Sequence, residues 1–452
     1  MDLLGELHSR LPKQRIKVDP DVVAVYSQDR AIFEAAGTAA VLVSPHSTQE
    51  VVAAVEAAVA ANAIIVARGA GTGLTGAANA INGCMMLSLH NMNQVLEIDT
   101  VNRMARVQPG VINSDLKAAV AAEGLYYPPD PASFEMSSIG GNVSTNAGGL
   151  CCVKYGVTRD YVMGLEVVLA NGEVINTGRR TIKGTAGLDL TGLFVGSEGV
   201  LGIITEVTVK LEPAPVAPQT AVAYFADLPS CGDAIQDIFR RGLRPTVMEI
   251  VDQASLRIVE QFYPMDLDTD AACLILMQSS PEDQPIEELA AVCEEHGASE
   301  VYHASDPDEG EMLLEVRRRV WPAAEKLGKS LLPEDVAVTR DKLPELLAGV
   351  VEIADKHDVF IPVIGHAGDG NMHPLLVFDE NDPDELVRVK AAFAEIVHLS
   401  LDLGGTIAGE HGVGTLKREF LEDEIDPLHL AMQRKVKAAF DPDNRLNPGK
   451  AI

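Results

Sequence analysis

Along the first third of the chain, short continuous apolar runs alternate with longer stretches of helical spacing, the pattern of strands separated by helices. Ala39–Ser44 reads as a buried strand. Ser47-Thr48-Gln49-Glu50 has the spacing of a capping box and starts an Ala-rich helix to about Asn62. Ile64–Arg68 is the next strand, and this β-α-β unit feeds directly into a glycine-rich loop. Strand patterns recur at Met85–Leu89, Val95–Ile98 and Ala105–Val107, with a helix expected over Asp115–Glu123. Further strands fit Gly164–Leu169, Val174–Asn176 and Gly202–Leu211.

Pro213, Pro215 and Pro218 then stiffen a segment poor in ladder donors, which suits an interdomain connection. From Thr220 to about Asp379 the pattern becomes strand, long helix, strand, long helix, as in an α+β domain. The tail from Gly414 to Phe440 reads as helical and charged, and the chain closes on Asn447-Pro448-Gly449-Lys450.

Composition narrows the picture. A chain of 452 residues can bury a large core and divides into two or three domains. With 47% hydrophobic and 23% charged residues it belongs among ordered globular proteins. The net charge is -30, and Pro264 to Glu311 contains no Lys or Arg, so a nucleic-acid partner is not expected. The plain reading of that run is a solvated acidic face. Cys84, Cys151, Cys152, Cys231, Cys273 and Cys293 show no CxxC spacing and are read as reduced. The opening MDLLGELHSR lacks the charge of a signal peptide. The most apolar stretch, Val51–Ala67, is interrupted by Glu56 and Asn62 and is too short for a transmembrane segment. A cytoplasmic location is expected, compatible with peripheral docking onto a membrane-bound partner.

Arg68-Gly69-Ala70-Gly71-Thr72-Gly73-Leu74-Thr75-Gly76 contains the G-x-G-x-x-G pattern of a Rossmann fingerprint, with Glu97 downstream. A Rossmann loop must open a helix, however, and Ala77–Gly83 is too short and too rich in Gly and Asn for one. The glycines still allow successive N–H groups to line an anion-binding concavity. The alternative is a tight surface turn. Two further loops, Ser137–Gly149 and Val195–Ile204, interleave glycines with small polar residues. Three such loops in one domain suggest a long ligand gripped at several points.

These loops, their order and spacing, and the Pro128-Pro129-Asp130-Pro131 segment resemble the vanillyl-alcohol-oxidase type of FAD-binding domain. The nearest branch comprises D-lactate dehydrogenase, the glycolate oxidase catalytic subunit and D-2-hydroxyglutarate dehydrogenase. The resemblance implies an α+β fold with a two-subdomain FAD domain over residues 1–213. It further implies a substrate (cap) domain with an antiparallel sheet over 214–413, and a C-terminal segment, 414–452, returning to the FAD domain. Arg68–Gly76 would hold the FAD pyrophosphate. Pro131, Ser138, Gly140, Gly141, Asn142, Thr145, Gly202 and Ile203 would line the flavin and its tail, with Asn447 closing the site. Some relatives attach FAD through a histidine in the first loop; Gly71-Thr72-Gly73 has none, so non-covalent FAD is expected.

Val359–Phe378 is two apolar runs around Asp369-Gly370, the dipeptide of a two-residue type I′ hairpin. With that pair at the centre, 366 pairs with 373, and His366 and His373 face each other on one side about 5 Å apart. Such a pair suits one metal ion. Glu410 and His411, in the glycine-flanked Gly404–Gly414, offer a third ligand and a base; an ordinary polar turn is the alternative. In the resembled family the residues matching His366, His373 and Glu410 are the metal ligands, and the one matching His411 accepts the proton. Zn²⁺ is favoured, with Mn²⁺ or Fe²⁺ also suited to this donor set. Asp369 is assigned to the turn and Asn371 to the substrate.

Arg317, five residues before Pro322 in a Glu315–Pro322 segment with three consecutive arginines, matches the family's carboxylate-binding arginine. Three consecutive arginines on a helix cannot all face one site. Trp321 and Lys329 are placed at the pocket wall, although Ala323–Val338 departs from the family pattern and leaves substrate size open. The resulting expectation is oxidation of a small D-2-hydroxy acid to the 2-oxo acid. The electrons would pass to an iron–sulfur subunit, a quinone or an electron-transfer flavoprotein. A metal-dependent hydrolase or oxygenase built on the same histidines is the rival reading, and a silent FAD-binding subunit a third.

Overall fold

A computed structural model describes residues 2–452, and the chain divides into two compact units. The first comprises 1–148, 157–214 and 410–452; the second comprises 149–156 and 215–409. The connection at residue 214 falls in the proline-stiffened segment. The return to the first unit begins at Glu410, four residues before the expected 414, and the short segment 149–156 joins the second unit.

Among the described residues, the first unit holds two larger sheets and a two-stranded one that pairs Leu125–Tyr126 with Glu212–Pro213. Ile16–Lys17, Val41–Val43, Met85–Ser88 and Ile65–Arg68 form one, with the last three strands parallel. Val95–Asp99, Met104–Val107, Ile203–Lys210, Val162–Val168 and Val174–Gly178 form the other, antiparallel throughout. The Ala-rich helix runs Thr48–Ala60 and buries Val51, Ala54, Val55, Ala57 and Ala58 in the core it shares with both sheets. Ser47 caps it through the Glu50 amide (3.3 Å), but the Glu50 carboxylate does not complete the box. It takes the His46 amide and the Arg15 guanidinium instead, because a charged donor outbids the cap's own N–H.

The second unit is built on one antiparallel sheet in the order Glu300–His303, Gln219–Phe225, Cys273–Ser279, Val247–Asp252, Val363–His366, Asn371–Phe378, Ser330–Pro333, with Val336–Ala337 also on Asn371–Phe378. Four aspartates serve helix starts: Asp227, Asp252, Asp306 and Asp382 each cap a helix of this unit through their side chains. The C-terminal stretch is less helical than its pattern predicts, with its one long helix confined to Pro427–Phe440. Among the described residues, no helix is long and apolar enough to cross a membrane.

Asp382 accepts the amides of Asp384 and Glu385 at the head of Pro383–Asp402, the helix that leads into the Gly404–Glu410 loop. Asp382→Ala should therefore cost about 1 kcal/mol, read as a lower urea midpoint, whereas Asp382→Asn keeps the cap and should stay near wild type.

Candidate functional site

In the first unit the three glycine loops and the C-terminal asparagine converge. A side chain at Gly69 would meet the Ser138 hydroxyl at 2.5 Å, so the first and second loops touch backbone to side chain. Gly196 and Glu198 of the third loop donate their amides to the carbonyls of Val143 (2.9 Å) and Ser144 (2.8 Å) in the second. Asn447 closes the ring: its amide nitrogen donates to the carbonyls of Ala77 (2.9 Å) and Glu198 (2.8 Å). The second loop is not open coil as the sequence suggested. Ile139–Thr145 is a short helix capped by Ser138 and ended by Asn146 in the left-handed region. Its two adjacent glycines hid it, since glycine argues against helix wherever packing is not visible.

Among the described residues, no amide from Gly69 to Gly76 donates a hydrogen bond within the chain, although the loop is half-buried to buried. Its carbonyls are used: Gly73 accepts Arg30, Gly76 accepts Asn79, and Thr75 accepts Thr415 and Leu416. A run of unspent, sheltered N–H groups is what a pyrophosphate requires, so these residues fit the diphosphate of a dinucleotide. Gly71 has φ +75°, and a Cβ there would collide with the Arg68 guanidinium, which lies beneath the loop and bonds the Gln28 carbonyl at 2.9 Å. Asn142 and Asn113 share a buried amide–amide bond of 3.0 Å; Asn113 was not expected from the sequence. Pro131 is buried, and the Thr145 hydroxyl donates to the Gly141 carbonyl at 3.3 Å. Gly202 is packed against Val167 and Phe194, and Ile203 is buried in its strand.

In the second unit the hairpin differs from its expected register. His366 pairs with Asn371, Gly365 with Met372 and Ile364 with His373, so the loop contains residues 367–370 rather than Asp369-Gly370 alone. Tertiary partners open the turn: Gly368 donates to the Met248 carbonyl, Val338 donates to the Gly370 carbonyl, and Arg340 donates to the Gly368 carbonyl. The two histidines are therefore diagonal neighbours rather than directly opposed. A slip of two residues keeps them on one face, and their ring centroids are 5.1 Å apart, with one ring nitrogen of each within 4.8 Å of the other. As expected, Asp369 serves the turn, accepting the Asn371 amide at 3.2 Å.

Two buried carboxylates that the sequence reading missed stand behind these rings. Glu249 accepts from His366 Nδ1 at 2.7 Å and from Arg317 Nε at 2.9 Å. Asp335 accepts from Asn371 Nδ2 at 2.8 Å and lies 3.7 Å from His373 Nδ1. A signal was present: Glu249 is the one charge within the apolar run Val247–Val251, and Glu334-Asp335 interrupts Leu331–Val338. Asn371, assigned to the substrate, spends its amide nitrogen on Asp335 and on the Val336 carbonyl. Any side chain at Gly409 would collide with it.

Glu410 follows Gly409 by one peptide bond and opens the first unit's returning segment. A Cβ on Gly148, at the end of the second glycine loop, would meet its carboxylate at 2.5 Å. His411 Nε2 lies 4.0 Å from Glu410 Oε1. Buried Glu198 then anchors the chain through the amides of Val413 (2.7 Å) and Gly414 (2.8 Å); burial raises its carboxyl against those bonds.

Of the expected pocket residues, Lys329 is engaged elsewhere and Trp321 spends its indole N–H within its own helix. The indole N–H of Trp321 bonds Glu325 on its own helix at 2.8 Å, and the Lys329 ammonium pairs with Glu385 at 2.9 Å. Lys329 precedes Ser330, which pairs with Phe378, five residues beyond His373. At ~3.4 Å per residue that is about 17 Å along the strand. Arg317 instead lies with the histidines, and its terminal nitrogens make no hydrogen bond among the described residues.

A family model described as FAD linked oxidases, C-terminal domain, matches residues 214–451, and an FAD binding domain model matches residues 39–178. The chain is 43% identical over 413 residues to glycolate oxidase subunit GlcD of Bacillus subtilis strain 168, covering 90% of this chain and 88% of that one. It is 34% identical over 457 residues to a D-lactate dehydrogenase of Anaerostipes hadrus, covering 98% and 96%. Among solved structures, p-cresol methylhydroxylase with substrate bound is similar in fold, with a TM-score of 0.80 at 18% identity, covering 99% of this chain and 96% of that one.

Gly71→Ala forces a positive φ on a side chain and displaces Arg68. The strain of about 1–3 kcal/mol predicts roughly 5- to 150-fold weaker FAD retention, read as flavin absorbance per chain after gel filtration.

Proposed function

Because this chain belongs to the family of FAD-linked oxidases, we propose that it oxidises a small D-2-hydroxy acid, of the D-lactate or glycolate class, to the 2-oxo acid. What carries the proposal is the grouping of Arg317, Glu249, His366 and His373 within the second unit. A pair of imidazoles suited to a cation, beside a half-buried guanidinium, fits a substrate bearing a carboxylate next to a hydroxyl.

Gly69–Gly76, the Ser138–Thr145 helix and Asn447 would hold non-covalent FAD, which when bound supplies the acceptor for the α-hydrogen and its electron pair. His366, His373 and Glu410 would hold a divalent cation, zinc best matching two imidazoles and a carboxylate, and this ion supplies Lewis acidity at the hydroxyl. Glu410 is the natural third ligand because it is bonded to Gly409, which lies against Asn371 at the hairpin's end. The terminal nitrogens of Arg317 take the substrate carboxylate, while its Nε stays on Glu249 and fixes the guanidinium plane. His411 takes the hydroxyl proton at a ring nitrogen. Lys329, paired with Glu385, takes no part in this anchor. A hydrolase or oxygenase built on the histidines alone would leave the unspent amides of Gly69–Gly76 without a ligand.

Anaerobic mixing with a panel of D- and L-2-hydroxy acids should bleach the flavin with glycolate or short D-acids. Bleaching should slow after chelation and recover with Zn²⁺ or Mn²⁺, and a flavin that stays oxidised with the whole panel refutes the proposal. His411→Ala should slow flavin reduction by on the order of 10²- to 10⁴-fold at unchanged FAD content. An unaltered rate removes it as the base.

A further inference from the structure

Glu249 occupies a place that neither unit's ligand chemistry requires in advance. It lies in the strand Val247–Asp252, where Ile250 pairs with Gly365 and Val251 with Ile364, so the register sets Glu249 opposite His366. The helix Pro307–Glu325 brings Arg317 to the same carboxylate. Each oxygen serves one partner: Oε1 the His366 ring, Oε2 the Arg317 Nε.

Two features argue against an ordinary structural ion pair. An arginine–carboxylate pair often takes the two-pronged fork, whereas here the guanidinium contributes Nε alone and keeps its terminal nitrogens out of the pair. A carboxylate facing a guanidinium only accepts, so the His366 nitrogen that meets it must be the protonated one. Nδ1 then carries the hydrogen, and Nε2 is left with the lone pair a metal needs.

We propose that Glu249 is a positioning residue shared by the cation site and the carboxylate anchor. It fixes the tautomer and ring plane of His366 with one oxygen and the orientation of Arg317 with the other. The role rests on the cation and anchor assignments made above. It predicts that the two share one support: loss of the Glu249 charge loosens both, whereas Arg317→Lys, which keeps a cation beside Glu249, touches only the anchor.

The test uses the FAD-loaded chain, stripped of metal by chelator and titrated with Mn²⁺ followed by electron paramagnetic resonance. Glu249→Gln should weaken Mn²⁺ binding about 10- to 100-fold, with Glu249→Asp, which keeps the charge on a shorter arm, recovering part of it. At saturating Mn²⁺, oxalate binding, read from the perturbed flavin spectrum, should also weaken in Glu249→Gln. Arg317→Lys should weaken oxalate but leave Mn²⁺ affinity within about threefold of wild type, by the charge-preserving logic of that exchange. Mn²⁺ affinity unchanged in Glu249→Gln overturns the proposal, and if that variant does not fold, unchanged affinity in Glu249→Asp does the same. His366→Ala separates the two levels: if it binds Mn²⁺ as tightly as wild type, the cation site itself is misassigned, whereas a loss there with none at Glu249 rejects only the positioning role.

Discussion

The Glu249 carboxylate has 0% exposure, and a charge placed beyond the reach of water must be answered by donors or it costs several kcal/mol. The donors here come from elements far apart in sequence, the Val363–His366 strand and the Pro307–Glu325 helix. Neither partner can leave without stranding the carboxylate. The second unit's sheet and its long helix thus meet in one three-way contact, and folding of the unit brings Glu249, Arg317 and His366 together. The same logic explains the buried Asp335, which gathers Asn371 while standing 3.7 Å from His373. Two imidazoles that would otherwise turn about χ2 are each backed by an acid.

The first unit solves a different problem, and it does so with backbone. A loop that must grip a polyanion has to keep its amides uncommitted while holding its shape by other means. Here the shape is held through carbonyls. Thr75 accepts Thr415 and Leu416, Asn447 and Lys450 both donate to the Ala77 carbonyl, and Lys450 also donates to the Asn79 carbonyl. Burial pulls the Lys450 ammonium down to about 8, against the raising influence of Asp29, Cys84 and Glu198. Glu198 in turn ties down Val413 and Gly414, two and three residues past His411. The candidate base is therefore anchored to the same loops that present the unspent amides.

The parts most legible in the sequence were those fixed by local chemistry. The three glycine loops could be read from composition, and Asn447 from resemblance; the structure brings all four together within the first unit. Ser47 was readable as a cap, but the destination of the Glu50 carboxylate was not, because Arg15 arrives from a distant strand end. Lys329 lies past the end of the Pro307–Glu325 helix, and Trp321, one turn on from Arg317, gives its indole N–H to Glu325, partners that a single sequence does not display. Glu249 was missed although it was the odd charge in an apolar strand. Its meaning lies in a cross-strand partner more than a hundred residues away, and one sequence does not display pairings.

The hairpin shows how a register other than the expected one still brings the two histidines together. Asp369-Gly370 favours a two-residue turn by its own conformational preference, but Met248, Val338 and Arg340 bind the carbonyls and amides around it and widen it to four residues. Widening a loop by one residue would have turned one arm over and sent His366 and His373 to opposite faces of the sheet. Widening it by two preserves the face and exchanges a direct pairing for a diagonal one, which imidazoles are long enough to bridge. What the sequence encodes securely is thus the parity of the spacing between the histidines. Their absolute alignment is decided by the strand and loop that hold the turn, and the opposite neighbour His366 gains on its other side is Glu249.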